Sequence, residues 1–228
     1  MGIAASMSGP GSYREMCDDL TSFFLSYDKV PLETRPTVRM VGLLFARPQT
    51  VFAAAEIVPS LRYYHHRSGR HINFYCAGFH PQWSLSRLDQ GKELDLYYDH
   101  EFDAFRREIE VRTKWRYSGG TDLLLTNAQF DGALARLDFA SAISADLVKM
   151  KADEAISSVD SFFEAIFQYS EHQDGKDPTW GFSNGRGKQI GGSALKHLLI
   201  SLLPKGLQAD AKAAFHAVVS DISLSEVD

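Results

Sequence analysis

Three features of this 228-residue chain predict an α/β fold built on a mixed sheet with helices on both faces. Short apolar runs, Val41-Gly42-Leu43-Leu44-Phe45 and Ile72-Asn73-Phe74-Tyr75-Cys76, alternate with longer segments whose apolar residues recur at helical spacing. A gap from Ala128 to Ala133, containing Asp131-Gly132, joins two later apolar runs and suits a hairpin. Hydrophobic content of 44% with 23% charged residues is ordinary for a globular protein, and the length suffices for a substantial core.

The elements follow in order. Residues 1–11 are small and Gly/Ser-rich, and Ser12-Tyr13-Arg14-Glu15 reads as a capping box opening a helix to about Tyr27. Its apolar face carries Met16, Leu20, Phe23, Phe24 and Tyr27, with Cys17 beside it as an inert buried thiol. Val38 to Phe45 is a buried strand, and Val51 to about His65 a helix that Pro59 bends or restarts. His71 to Cys76 forms a second strand, and Glu101 to Trp115 a helix facing inward through Phe102, Phe105 and Ile109. Asp122 to Asn127 is a third strand, Leu134 to Ile143 a fourth, and Ser144 to Tyr169 a helix. Beyond the polar loop Asp174 to Gly192, Ser193 caps a leucine-rich helix, and a last helix spans about Gln208 to Ile222. Helical crossovers join the first strand to the second and the second to the third, which predicts that both pairs run parallel. The chain then divides into an N-terminal helical part (1–36), an α/β domain (37–172) and a loop with a C-terminal helical hairpin (173–228).

A net charge of −5 removes any general attraction to nucleic acid or anionic membranes. Two cysteines, Cys17 and Cys76, argue against a disulfide scaffold and suit a reducing compartment. No apolar run approaches the ~20 residues that span a bilayer, and no signal peptide is visible. Met1-Gly2-Ile3-Ala4-Ala5-Ser6 fits the loose myristoylation pattern, for which a plain N-terminus is the simpler account. The expected location is the cytoplasm.

Pro59, at the bend of the first crossover helix, and Gly120-Thr121-Asp122-Leu123-Leu124-Leu125, followed by the Asp131-Gly132 hairpin, carry a further likeness. Over about Val38 to Tyr169 the order of elements resembles the thioredoxin-like superfamily. The resemblance implies a three-layer arrangement in which Val51 and Ala54 occupy the two active-site cysteine positions and Thr121 that of the cis-proline. Thiol–disulfide exchange needs an attacking thiolate and a resolving thiol, and valine and alanine supply neither. The resemblance therefore implies a degenerate, redox-inactive member that keeps its groove for protein contacts. A cis bond before Thr121 would cost ~3–4 kcal/mol without proline.

Other chemistry is weighed residue by residue. Cys76 with His80 as its base would make a thiol nucleophile, although Phe74 and Tyr75 favour a buried sulfur. Arg62, His66, Arg67 and Arg70 form the densest cationic stretch and offer a phosphate-binding surface; the plainer account is a helix C-terminus complemented by basic side chains. Asp95, Asp99, His100, Glu101 and Asp103 are metal-ligand types without a calcium-loop pattern, and Glu108, Glu110 and Lys114 fall on a predicted helix rather than on adjoining strands. Gly185 to Ser193 lacks the P-loop order. No metal or cofactor is expected. The leading expectation is a binding or regulatory subunit, an adaptor working through protein–protein interaction. The alternatives are a hydrolase or transferase acting on a phosphorylated or nucleotide substrate, and a single-cysteine redox protein. Partners are then another protein subunit or a phosphate-bearing ligand, not a membrane or nucleic acid.

Overall fold

The computed structural model describes residues 12–26, 37–67, 72–79, 97–171 and 219–222. Helix α1 (Tyr13–Leu25) starts as the capping box requires, with the Glu15 N–H donating to Ser12 Oγ at 3.2 Å. Strand β1 (Val38–Ala46) leads to a composite helical segment: a π turn (Ala53–Ile57), a 3-10 turn (Val58–Ser60) and α2 (Leu61–Arg67). Pro59, with no N–H to donate, sits in the 3-10 turn where the helix restarts. Strand β2 (Ile72–Cys76), helix α3 (Asp99–Arg112), strands β3 (Thr121–Phe130) and β4 (Ala135–Asp146), helices α4 (Leu147–Ala152) and α5 (Val159–Glu171), and strand β5 (Val219–Asp221) complete the order.

The sheet is mixed and five-stranded, in the order β2-β1-β3-β4-β5. β1 and β2 run parallel, with Met40 opposite Ile72 and Leu44 opposite Cys76. β3 is antiparallel to β1, which corrects the expectation that it would continue in the direction of β2. The reason lies in the connection. The Tyr98 N–H reaches Gly78 O at 2.7 Å before α3, and Trp115 Nε1 donates to Asp122 at 2.9 Å after it. The chain thus re-enters the sheet at the end where β2 left it, and must run back. β3 and β4 form the expected hairpin, turned by Gly132 at φ 98° and by Asp131, whose carboxylate accepts from the Ala133 and Leu134 N–H groups.

Side chains alternate across β1: Met40, Leu44 and Ala46 enter one apolar cluster, and Val41, Leu43 and Phe45 the other. The first cluster holds Ile57 and Tyr64 of the composite segment, Met150 of α4 and Phe163 of α5. The second holds Met16 and Leu20 of α1 and Phe102 and Phe105 of α3. Helices therefore cover the sheet from both sides.

Two further expectations are corrected. The helix predicted from Ser144 to Tyr169 is divided: β4 continues to Asp146, α4 follows, and α5 begins only at Val159, with Ser158 Oγ accepting from the Ser161 N–H at 3.0 Å. Cross-strand pairing of Ser144, Ala145 and Asp146 with β3 overrides the helical spacing there. Val219–Asp221, expected at the end of the last helix, pair antiparallel with β4 instead. The leucine-rich helix after Ser193 and the stretch 208–218 lie outside the described residues. Among the described residues no helix is long and apolar enough to cross a membrane.

Candidate functional site

Val51, Ala54 and Thr121 lie toward the end of the sheet where β1 and β2 finish. Past Ala46, Thr50 opens the composite helical segment: its Oγ1 accepts from the Ala53 N–H at 3.2 Å, and its carbonyl from the Ala54 N–H at 2.9 Å. Val51, at the mouth of that segment, is 88% exposed, and Ala54 one turn on is exposed as well. Across the strands Thr121 is paired with Ala46 and fully buried, and among the described residues its Oγ1 has no hydrogen-bond partner. No peptide among the described residues is cis, so the bond before Thr121 is trans.

Arg47 anchors the same end, a residue that sequence reasoning passed over. Its guanidinium lies 4.5 Å from the centre of the Phe102 ring, pairs with Asp99, and donates to Asp103 at 2.9 Å. Burial pushes the Asp103 carboxyl up, but the guanidiniums of Arg47 and Arg106 outweigh it and hold the group below the usual carboxylate range. Burial, reinforced by Asp99, pushes the Tyr97 phenol up. Asp99 and Asp103 are thus engaged with arginines, and Asp95 lies outside the described residues. Among the described residues no three His, Cys, Asp or Glu side chains are arranged to hold a metal ion. Glu108 accepts from the Tyr13 N–H, and Glu110 pairs with Arg106 at 2.6 Å, so both serve packing contacts.

Asp122 is 3% exposed, and burial raises its carboxyl above the usual range. It accepts from Trp115 Nε1 and from the Ser118 N–H and Oγ–H, which ties the loop after α3 to the start of β3. On the same face, buried Arg39 donates to Asn73, which donates to the Tyr75 hydroxyl at 3.2 Å. That hydroxyl in turn donates to Asp19 of α1 at 2.6 Å. An arginine opening an otherwise apolar strand is the signal that such a network was needed.

The remaining candidates are dispersed. Cys76 is 1% exposed, and burial pushes its thiol far above the ordinary value, so the sulfur is neither accessible nor ionised at neutral pH. His80 and Arg70 lie outside the described residues. Arg62 is exposed on α2, which also carries His66. Arg67 forms a fork with Glu164 of α5, Nε to Oε2 at 3.1 Å and Nη2 to Oε1 at 2.8 Å. Beside that fork an open groove of about 400 Å³ is lined by Pro59, Ser60, Tyr63, Asp160, Ser161 and Glu164. Its two carboxylates, Asp160 and Glu164, disfavour a phosphate there by charge repulsion, although the hydroxyls of Ser60, Tyr63 and Ser161 could donate to one. The glycine-rich stretch 185–193 lies outside the described residues. Compared with protein-family models, curated proteins and solved structures, the chain matches none.

Proposed function

We propose that this chain is a non-redox, thioredoxin-like binding or regulatory subunit, which meets another protein through the mouth of its first crossover helix. The observation that carries the reading is Val51, an aliphatic side chain 88% exposed at the first turn of that helix, with exposed Ala54 beside it. A single exposed aliphatic side chain is ordinary on a protein surface; what sets Val51 apart from exposed Val111 is its place beside exposed Ala54 at the mouth of the segment where the thioredoxin-like layout implies a groove. The succession of strand, helix, strand, helix, hairpin and helix supports the likeness, and the burial of both cysteines supports the absence of thiol chemistry. The commitment of Arg67 to Glu164 weighs against a phosphate-directed enzyme.

The test is site-specific photocrosslinking in the native host. A photoreactive residue at position 51 should give a discrete adduct with one other protein, whereas the same group at Val111, 78% exposed on α3, should not. Equal labelling at both positions, or none at 51, removes the reading. A disulfide-reduction assay should show no turnover above background, and turnover abolished by Cys76→Ser would overturn the non-redox assignment.

A further inference from the structure

We infer that the open groove between the crossover segment and α5 holds the guanidinium of an arginine side chain, presented by the protein that covers Val51. That the arginine comes from that partner rests on the function proposed above; that the groove takes a guanidinium rests on its own chemistry. At about 400 Å³ the groove is at the small end of ligand-sized clefts, with room for one long side chain rather than an enclosed molecule. None of the residues lining it is basic.

Its hydrogen bonds sort the polar groups into spent and available ones. Glu164 is spent: its oxygens accept from Arg67, Tyr63 and Gln168, and Arg67 cancels its charge. The hydroxyls of Tyr63 and Ser161 already donate, to Glu164 and to Ser158 O, and turning either toward an anion would break that bond. Asp160 differs. Its Oδ1 accepts from the Tyr64 hydroxyl at 2.6 Å, and Tyr64 is fully buried, so the carboxylate is held in place. Its Oδ2 has no hydrogen bond among the described residues, and the residue is exposed. The groove is thus left with one uncompensated negative charge and an oriented acceptor, which N–H donors on a cation satisfy best.

Tyr63 decides for arginine over lysine. Its ring, 43% exposed, lines the groove along with Asp160. A guanidinium is planar, so it can lie on a tyrosine face while directing N–H groups at a carboxylate, whereas an ammonium is a point charge. The Arg67–Glu164 fork is the same pairing, built into the adjoining wall. Arg62, also exposed on α2, is not among the lining residues. The groove continues the surface on which Val51 stands, because Ala54, Ala55 and Pro59 are exposed along the segment between them. A partner lying over these small side chains reaches the groove roughly 18 Å from Val51, at the rise of a helix.

Two experiments on the full chain test this. In heteronuclear NMR at about 150 mM salt, where long-range attraction is screened, acetyl-Ala-Arg-Ala-amide should give saturable millimolar shifts at Ser60, Tyr63 and Ser161. Asp160→Asn keeps an oxygen for Tyr64 and should weaken that binding about threefold or more. The lysine counterpart of the peptide should bind more weakly and the glutamate counterpart not at all. Shifts that fail to saturate, or that Asp160→Asn leaves unchanged, overturn the proposal; equal binding of the lysine peptide overturns the assignment to arginine. Separately, Asp160→Lys should cut the adduct from a photoreactive residue at position 51 about tenfold, since it sets a cation against the incoming one. An undiminished adduct overturns the claim that the partner covering Val51 fills the groove, and leaves the function proposed above standing. No adduct even with Asp160 in place removes that function instead, while the peptide titration still decides whether the groove takes a guanidinium.

Discussion

Gly42 sets the packing of the central strands through what it lacks. It stands opposite Phe74 in the parallel β1–β2 pair, and a Cβ built on it would come within 2.5 Å of the Phe74 ring. That ring packs against Phe163 at 5.1 Å and Phe167 at 5.9 Å, so it has nowhere to retreat. Gly42→Ala should cost about 1–3 kcal/mol, read as a lower urea midpoint with unchanged slope. Asp122 should be similarly intolerant. Asp122→Asn replaces one acceptor oxygen by a donor facing the donors of Trp115 and Ser118, a loss of about 1–3 kcal/mol. Glu164 carries a pH dependence of definite sign. The guanidinium of Arg67 holds its carboxyl below the ordinary value. It therefore stabilises the fold above the unfolded-state pKa of about 4.3, and that contribution fades as the pH falls through the lower folded value. Glu164→Gln should cost no more than about 1 kcal/mol at pH 7, since the pair is partly solvated, and the difference from wild type should close below about pH 4.

Elements whose signals are local were the ones readable from the residues. Ser12 and Glu15 announce the start of α1, Pro59 the restart of the crossover helix, and Asp131-Gly132 the β3–β4 hairpin, because each acts within one turn of backbone. At φ 98° Gly132 holds a conformation that strains any side chain, so Gly132→Ala should destabilise by about 1 kcal/mol in thermal melts despite an open site. The direction of β3, the extension of β4 through Asp146 and the existence of β5 were not readable. Each is decided by pairing with a strand distant in sequence, which helical spacing does not encode. The site divides the same way. Val51 and Ala54 precede the restart that Pro59 marks, all within a dozen residues of sequence, while the Arg47–Asp99–Asp103 clamp joins residues some fifty positions apart and carries no local signature.

At the scale of the molecule, one sheet separates two apolar clusters, and the two cysteines report on them separately. Cys76 lies in the cluster under α5 and Cys17 in the one under α1. Both are buried, and burial raises both thiols, so neither should react with a thiol reagent at neutral pH until the fold opens. The mutation Phe163→Ala removes a fully buried ring that packs 4.4 Å from Tyr64 and should cost about 3–5 kcal/mol through the cavity it leaves. If the sheet makes the two faces one cooperative unit, that loss on one side must raise the open population seen by both sulfurs. Alkylation of Cys17 and Cys76, followed peptide by peptide, should then accelerate by the same factor in Phe163→Ala. Acceleration at Cys76 alone would show that α1 and its face of the sheet open independently of the core beneath α5.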